Sequence, residues 1–197
     1  MADDRHLVLF ARQPCYGVGK RRLAADVGDL EALRFARASL DRLRRTLGSD
    51  PRWTLSIAVS PDRPTGWTAP AHAIAQGPGD LGDRLSRVVR ALPPGPVVIL
   101  GADTPTVRRQ DVAEAFTCLG RHDAVFGPSP DGGYWLIGLR RRLRQHLPFD
   151  GVRWSTRHAL ADTVAAMQGR PVALLRLLED VDDGLSLRRY LSAPGRR

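Results

Sequence analysis

Pro96-Val97-Val98-Ile99-Leu100-Gly101-Ala102-Asp103-Thr104-Pro105 is the stretch that decides the fold. Four aliphatic residues in a row, fenced by proline and glycine, read as a strand buried on both faces. A carboxylate, Asp103, stands just past its end. The same plan recurs along the chain. His6 to Ala11 and Trp53 to Val59 are further short apolar runs, and Ala71 to Ala75 reads as a brief one. Asp123 to Gly127 and Tyr134 to Leu139 flank a glycine-rich turn, and Val172 to Leu177 closes the set. Helical patterns fall between these runs. Leu30, Leu33, Ala36, Leu40, Leu43 and Leu47 repeat at helical spacing, with Asp29 as the expected N-cap and Gly48 as the stop. Further helices are expected from an Asp80 cap to Leu92, over Arg109–Leu119, over Ser155–Met167 and over Leu185–Leu191. Strands alternating with helices predict an α/β/α three-layer sandwich around a mostly parallel, mixed sheet.

At 197 residues the chain is long enough for one full core. A single domain over residues 1–191 with a short basic tail over 192–197 is expected. The hydrophobic share of 43% and charged share of 26% are ordinary for a soluble protein. Nothing approaches membrane-spanning length, and the first residues carry no signal-peptide core, so a cytoplasmic protein is expected. Cys15 and Cys118 form no disulfide framework or zinc spacing. The net charge of +9 invites a nucleic-acid reading, and a non-catalytic basic module binding RNA or another anion is the reading from a different class. Yet the arginines are scattered, clustering only at Arg140–Arg144 and at Arg196-Arg197, with no aromatic platform between them. Such a surface also steers small anionic substrates inward.

Chemistry concentrates where strands end. After the first run comes Arg12-Gln13-Pro14-Cys15-Tyr16-Gly17-Val18-Gly19-Lys20-Arg21-Arg22, which holds the chain's only lysine. A P-loop needs Gly at Pro14 and Ser or Thr at Arg21, and a dinucleotide fingerprint needs Gly or Ala at Arg22. Neither fits. What remains is a cationic, glycine-bearing loop at the carboxyl end of a strand, suited to a phosphate group. Asp103 should stand at the same edge, where a carboxylate beside phosphate makes a natural Mg²⁺ or Mn²⁺ ligand. Read alone, Asp103 serves equally as a turn former, and Asp180-Val181-Asp182-Asp183 equally as a solvated acidic turn. Asp131-Gly132-Gly133-Tyr134 is first a hairpin turn, shaped so that it could also face an acceptor.

Taken together these residues resemble a known family. Phe10-Ala11-Arg12, Pro14, Gly17, Lys20 and Arg22-Leu23 are similar to the opening motif of bacterial transferases described as rSAM/selenodomain-associated, within the nucleotide-diphospho-sugar transferase (GT-A) superfamily. Gln76 to Leu85, Gly101 to Pro105, Gly127-Pro128 with Asp131 to Tyr134, Trp154 to Thr156 and Asp180 to Asp182 continue the series in order. Arg21 departs from it, standing where Thr is usual.

The resemblance implies a GT-A fold and a metal-dependent transferase with a nucleotide donor. A glycosyltransferase moving a sugar from a nucleoside diphosphate to a small acceptor is the reading it favours. A nucleotidyltransferase joining a nucleoside triphosphate to a phosphorylated acceptor is the alternative. It assigns Arg12, Gly17, Lys20, Arg22, Gln76 and Asp80 to the nucleotide, and Gly132, Gly133, Tyr134 and Trp154 to the acceptor. Asp103 and Asp182 would hold Mg²⁺ or Mn²⁺, with Asp180 close behind. Asp131 is the carboxylate best placed to take an acceptor's proton.

Overall fold

The computed structural model describes residues 5–63, 73–140, 142–143 and 146–193. The strands are β1 (His6–Arg12), β2 (Thr54–Ser60), β3 (Ala73–Ala75), β4 (Val97–Gly101), β5 (Ala124–Pro128), β6 (Tyr134–Leu139) and β7 (Val172–Leu174). The helices are α1 (Arg21–Val27), α2 (Asp29–Gly48), α3 (Leu81–Ala91), α4 (Arg109–Cys118), α5 (Ala159–Ala165) and α6 (Gly184–Ser192). The strands join in one sheet of order β3-β2-β1-β4-β6-β5-β7. Every strand but β6 runs the same way; β6 is antiparallel to both β4 and β5. The Gly-rich turn after β5 produces that reversal, because a short turn joins only antiparallel strands.

Successive residues of each strand feed opposite layers. Leu7, Leu9, Val98 and Leu100 pack with Leu40, Leu43, Val112 and Phe116 of α2 and α4. Val8, Val97, Ile99 and Ile137 pack with Leu85, Val88 and Val89 of α3 on the other face. A third, smaller core of Leu23, Ala32, Phe35 and Val181 ties α1 and α2 to the segment before α6.

Several boundaries differ from the sequence expectations. The short helix α1 follows the Lys20 loop directly; seven residues offer no apolar repeat to announce it. Gly28 rather than Asp29 caps α2, so Asp29 lies in the first turn, where its charge suits the helix dipole. The fifth helix begins at Ala159 and not at Ser155. Ala71 and His72 of the third expected strand, Arg141, Arg144 and residues 194–197 of the expected tail lie outside the described residues. The basic cluster near residue 140 has a structural use: Arg140, Arg142 and Arg170 gather round the buried carboxylate of Asp123. Among the described residues no helix is long and apolar enough to cross a membrane.

Candidate functional site

Strand order places the site. From β1 the chain turns towards β2, and from β4 it turns the other way, so their carboxyl ends diverge and open a crevice. Their register pairs Phe10 with Gly101, so Arg12 and Asp103, each two residues further on, leave the sheet at one level.

The Lys20 loop is folded tightly over this crevice. Val18 N donates to Cys15 O at 3.2 Å, and Gly17 and Gly19 take left-handed backbone angles that a side chain would resist. Lys20 itself is left-handed, with φ 44° and ψ 40°, immediately before α1. That conformation costs a non-glycine residue roughly 1–2 kcal/mol, so the surroundings must hold it. They do so through its side chain. Lys20 Nζ donates to Val181 O at 2.6 Å and to Asp182 Oδ1 at 2.8 Å, and lies 3.0 Å from Asp103 Oδ1. The ring centroid of Phe35 is 5.9 Å from the same ammonium. Only 10% of the lysine side chain is exposed, against 53% of Asp103.

The acidic segment is brought there by α6. Asp183 caps that helix by accepting from Ser186 N at 2.7 Å, and Ser186 Oγ accepts from Asp182 N. Gly184 N donates to Asp26 Oδ2 of α1 at 2.8 Å, and Val181 N donates to Asp103 O at 3.0 Å. Three loops distant in sequence are thereby sewn together.

The electrostatics follow from this packing. Burial alone pulls the Lys20 pKa down, but the charges of Asp103 and Asp182 outweigh it and raise the pKa above the ordinary value. For Asp182 burial opposes ionisation, yet the Lys20 charge and hydrogen bond, with Arg22 adding, hold its pKa below the usual range. For Asp180 the balance tips the other way. Burial first, then the Asp182 charge, push it up to about 6, and Asp131 adds a further negative charge.

A cavity of about 360 Å³ opens beside this cluster, lined by Phe10, Arg12, Gln13, Lys20, Arg21, Arg22, Asp103 and Asp182 among others. Five of the residues singled out in the sequence, Arg12, Lys20, Arg22, Asp103 and Asp182, thus share one cavity, joined by Arg21. Gly17 shapes the loop without lining it. Asp131 lies on the adjacent hairpin, its Oδ1 accepting from Gly133 N at 2.9 Å.

Four of the expected site residues make contacts within the fold. Gln76 is 1% exposed, and its amide is used up: Nε2 donates to Ala11 O and Ala58 O, and Oε1 accepts from Arg84. It thereby bridges β1, β2 and α3. Asp80 spends its carboxylate capping α3, accepting from Asp83 N. Tyr134 packs edge-on against Phe126, its hydroxyl shut from solvent beside Thr163, and burial pushes its pKa well up. Trp154 packs on Phe149 and over Gly82. Tyr134 and Trp154 both pack against the α3-side core. Gly132 is needed for close packing: its φ is +85°, and a Cβ there would collide with the Arg157 carbonyl.

Sequence reading missed the Val181 carbonyl and the Phe35 ring behind Lys20, neither of which has a motif signature. It also missed Arg84, whose guanidinium lies over the Phe10 ring, 5.8 Å from its centroid.

The donor set suits a hard divalent cation. Carboxylate oxygens of Asp103 and Asp182 converge on one point. Among the described residues no three His, Cys, Asp or Glu side chains form a metal cage. Two carboxylates with an open side fit an ion whose remaining ligands are water and substrate phosphate.

The chain matches, over residues 39–156, the family described as "Uncharacterized protein conserved in bacteria (DUF2064)". It belongs to that family. A curated relative, phosphoenolpyruvate guanylyltransferase of Chloroflexus aggregans, is 32% identical over 98 residues, 49% of this chain and 48% of the relative. The match thus spans about half the length of that enzyme. A solved structure from Desulfovibrio desulfuricans, provisionally assigned as a nucleotide-diphospho-sugar transferase, superposes with TM-score 0.87 at 28% identity, covering 99% of this chain and 91% of the other. A 4-diphosphocytidyl-2C-methyl-D-erythritol synthase from Anaerococcus prevotii superposes with TM-score 0.64 at 11% identity, covering 98% and 97%. The family member described here therefore has the α/β fold of nucleotide-diphospho-sugar transferases and cytidylyltransferases.

Proposed function

We propose that this protein is a nucleotidyltransferase that joins a nucleoside triphosphate to a small phosphorylated acceptor and releases pyrophosphate. The observation that carries the reading is the meeting of Lys20 with Asp103 and Asp182 at the mouth of a cavity also lined by Arg12, Arg21 and Arg22. Four cations around one strand–loop–helix junction suit the charge of a triphosphate, and Arg21 in place of Thr adds to it. The guanylyltransferase relative supports the same class.

In this reading Arg12, Lys20, Arg21 and Arg22 hold the phosphates and draw charge from the departing pyrophosphate. Asp103 and Asp182 would hold Mg²⁺ or Mn²⁺, which supplies charge neutralisation at the reacting phosphate. The acceptor's phosphate oxygen attacks the α-phosphorus in line, and the bond to the β-phosphate oxygen breaks. An acceptor that is already an oxyanion brings its own nucleophile. Such an acceptor needs no general base from the protein.

The second reading is glycosyl transfer from a nucleoside diphosphate sugar, favoured by the 0.87 superposition and by the rSAM/selenodomain-associated motifs. An acceptor hydroxyl must then lose a proton, and Asp131 on the neighbouring hairpin is the base we assign to that step. A panel of nucleoside triphosphates and nucleoside diphosphate sugars, each with Mn²⁺ and phosphorylated or hydroxyl acceptors, separates the two. Pyrophosphate in the product supports nucleotidyl transfer; nucleoside diphosphate overturns it in favour of the second reading.

A further inference from the structure

Lys20 sits where a divalent cation bridging Asp103 and Asp182 would have to sit. Its Nζ is 3.0 Å from one carboxylate and 2.8 Å from the other. A metal ion needs the same oxygens at roughly 2.0–2.6 Å, a contraction of at most about an ångström. An ammonium and a divalent ion cannot share that point, because both are cations and both need those oxygens. Val181 O holds the ammonium from a third side at 2.6 Å, and the Phe35 ring lies behind it. The lysine is therefore an internal counter-ion, bonded on several sides and nearly sealed from solvent.

We propose that Lys20 makes the Asp103/Asp182 pair selective for a divalent cation that arrives already complexed to a polyphosphate. A free ion must evict the ammonium from both carboxylates in a place nearly sealed from solvent. A metal–polyphosphate complex brings the eviction's compensation with it, since the displaced ammonium turns onto a phosphate oxygen. The single lysine thus has two bonding states: carboxylate-bound in the free protein, phosphate-bound in the loaded one. The inference deepens the nucleotidyltransferase reading and rests on its placement of the phosphates.

The consequence has an unusual sign. Removing Lys20 weakens polyphosphate binding but strengthens binding of the bare ion, because two neighbouring carboxylates lose their neutralising partner. Mn²⁺ alone is the probe, read by calorimetry and by the electron paramagnetic resonance of the free ion. Lys20→Met is expected to bind Mn²⁺ at least about tenfold tighter than wild type. Lys20→Gln, which retains a donor for Val181 O, guards against misfolding and is expected to show the same gain. Adding Asp103→Asn to either variant should remove it. Mn²⁺ should also raise the melting temperature of the Lys20 variants and leave that of wild type nearly unchanged. Equal or weaker Mn²⁺ binding by the folded Lys20 variants overturns the proposal. These arms use no nucleotide, so they stand even if no triphosphate proves to be a substrate. In a parallel arm with GTP, tighter Mn²⁺ binding by wild type than with Mn²⁺ alone supports the coupled arrival, and no difference despite bound GTP overturns it.

Discussion

Lys20 Nζ and Asp103 Oδ1 lie 3.0 Å apart although their loops leave different strands, β1 and β4. The contact is set by register: the parallel pairing of Phe10 with Gly101 brings both loops out at one height. Asp103 was expected at the same sheet edge as the Lys20 loop, and the two side chains meet there directly. In the free protein the gap between them is closed by the ion pair, and the open space lies beside it.

Lys20→Ala is expected to weaken nucleotide binding far more than Arg34→Ala on the exposed face of α2. Loss of a charge-assisted phosphate contact costs roughly 1.5–3 kcal/mol, or about 10- to 150-fold in affinity. Arg142 is a poor control, because it neutralises the buried Asp123. Thermal-shift titration with GTP and Mn²⁺ compares the variants. Equal losses from Lys20 and Arg34 would reduce the loop to bulk charge.

Asp103→Asn keeps the shape of the side chain and removes its charge. Half of that side chain is exposed, so the fold should survive. Mn²⁺-dependent nucleotide binding should fall by at least about tenfold, while binding without metal changes little. Calorimetry with and without Mn²⁺ reads both. An unchanged metal dependence would remove Asp103 from the ligand set.

The site was legible wherever an apolar strand ended in a chemically distinctive residue. Lys20 and Asp103 could be placed at one sheet edge because both follow buried runs, and the reversed β6 followed from Asp131-Gly132-Gly133. What stayed hidden was contact between distant backbone and side chain. Val181 offers a carbonyl, and a carbonyl has no residue code. Gln76, Tyr134 and Trp154 sit inside motifs, where a polar or aromatic residue reads as a ligand contact; their bonds to distant carbonyls and their packing on Phe126 and Phe149 have no sequence signature.

Gln76→Leu separates a scaffold role from a nucleotide contact. The substitution fills the space but leaves Ala11 O and Ala58 O without their donor and releases the Arg84 guanidinium. Each buried group left unpaired costs about 1–3 kcal/mol, so a total loss of roughly 2–4 kcal/mol is expected in urea unfolding. Asp80→Ala, which removes only a helix cap, should cost about 1 kcal/mol. A Gln76 variant of wild-type stability with lost nucleotide affinity would restore the direct-contact role.

Asp180 supplies a pH test. Burial and the Asp182 charge raise its pKa from 3.8 to about 6 in the folded protein. The folded state therefore holds this proton more tightly than the unfolded chain does. Its contribution to stability is full below pH 3.8 and is lost as pH rises towards 6. Above that pH the carboxylate is ionised beside Asp182 at a net cost. Asp180→Asn abolishes the ionisation and should stabilise the protein at pH 8 by on the order of 1 kcal/mol, after allowance for solvent screening of a partly exposed group. At about pH 4, where Asp180 carries its proton in the fold, variant and wild type should melt together. Melting curves across that range decide it. A variant less stable than wild type at pH 8 would mean that the ionised Asp180 is held by a favourable partner, and the crowding of carboxylates behind Lys20 would no longer explain its shift.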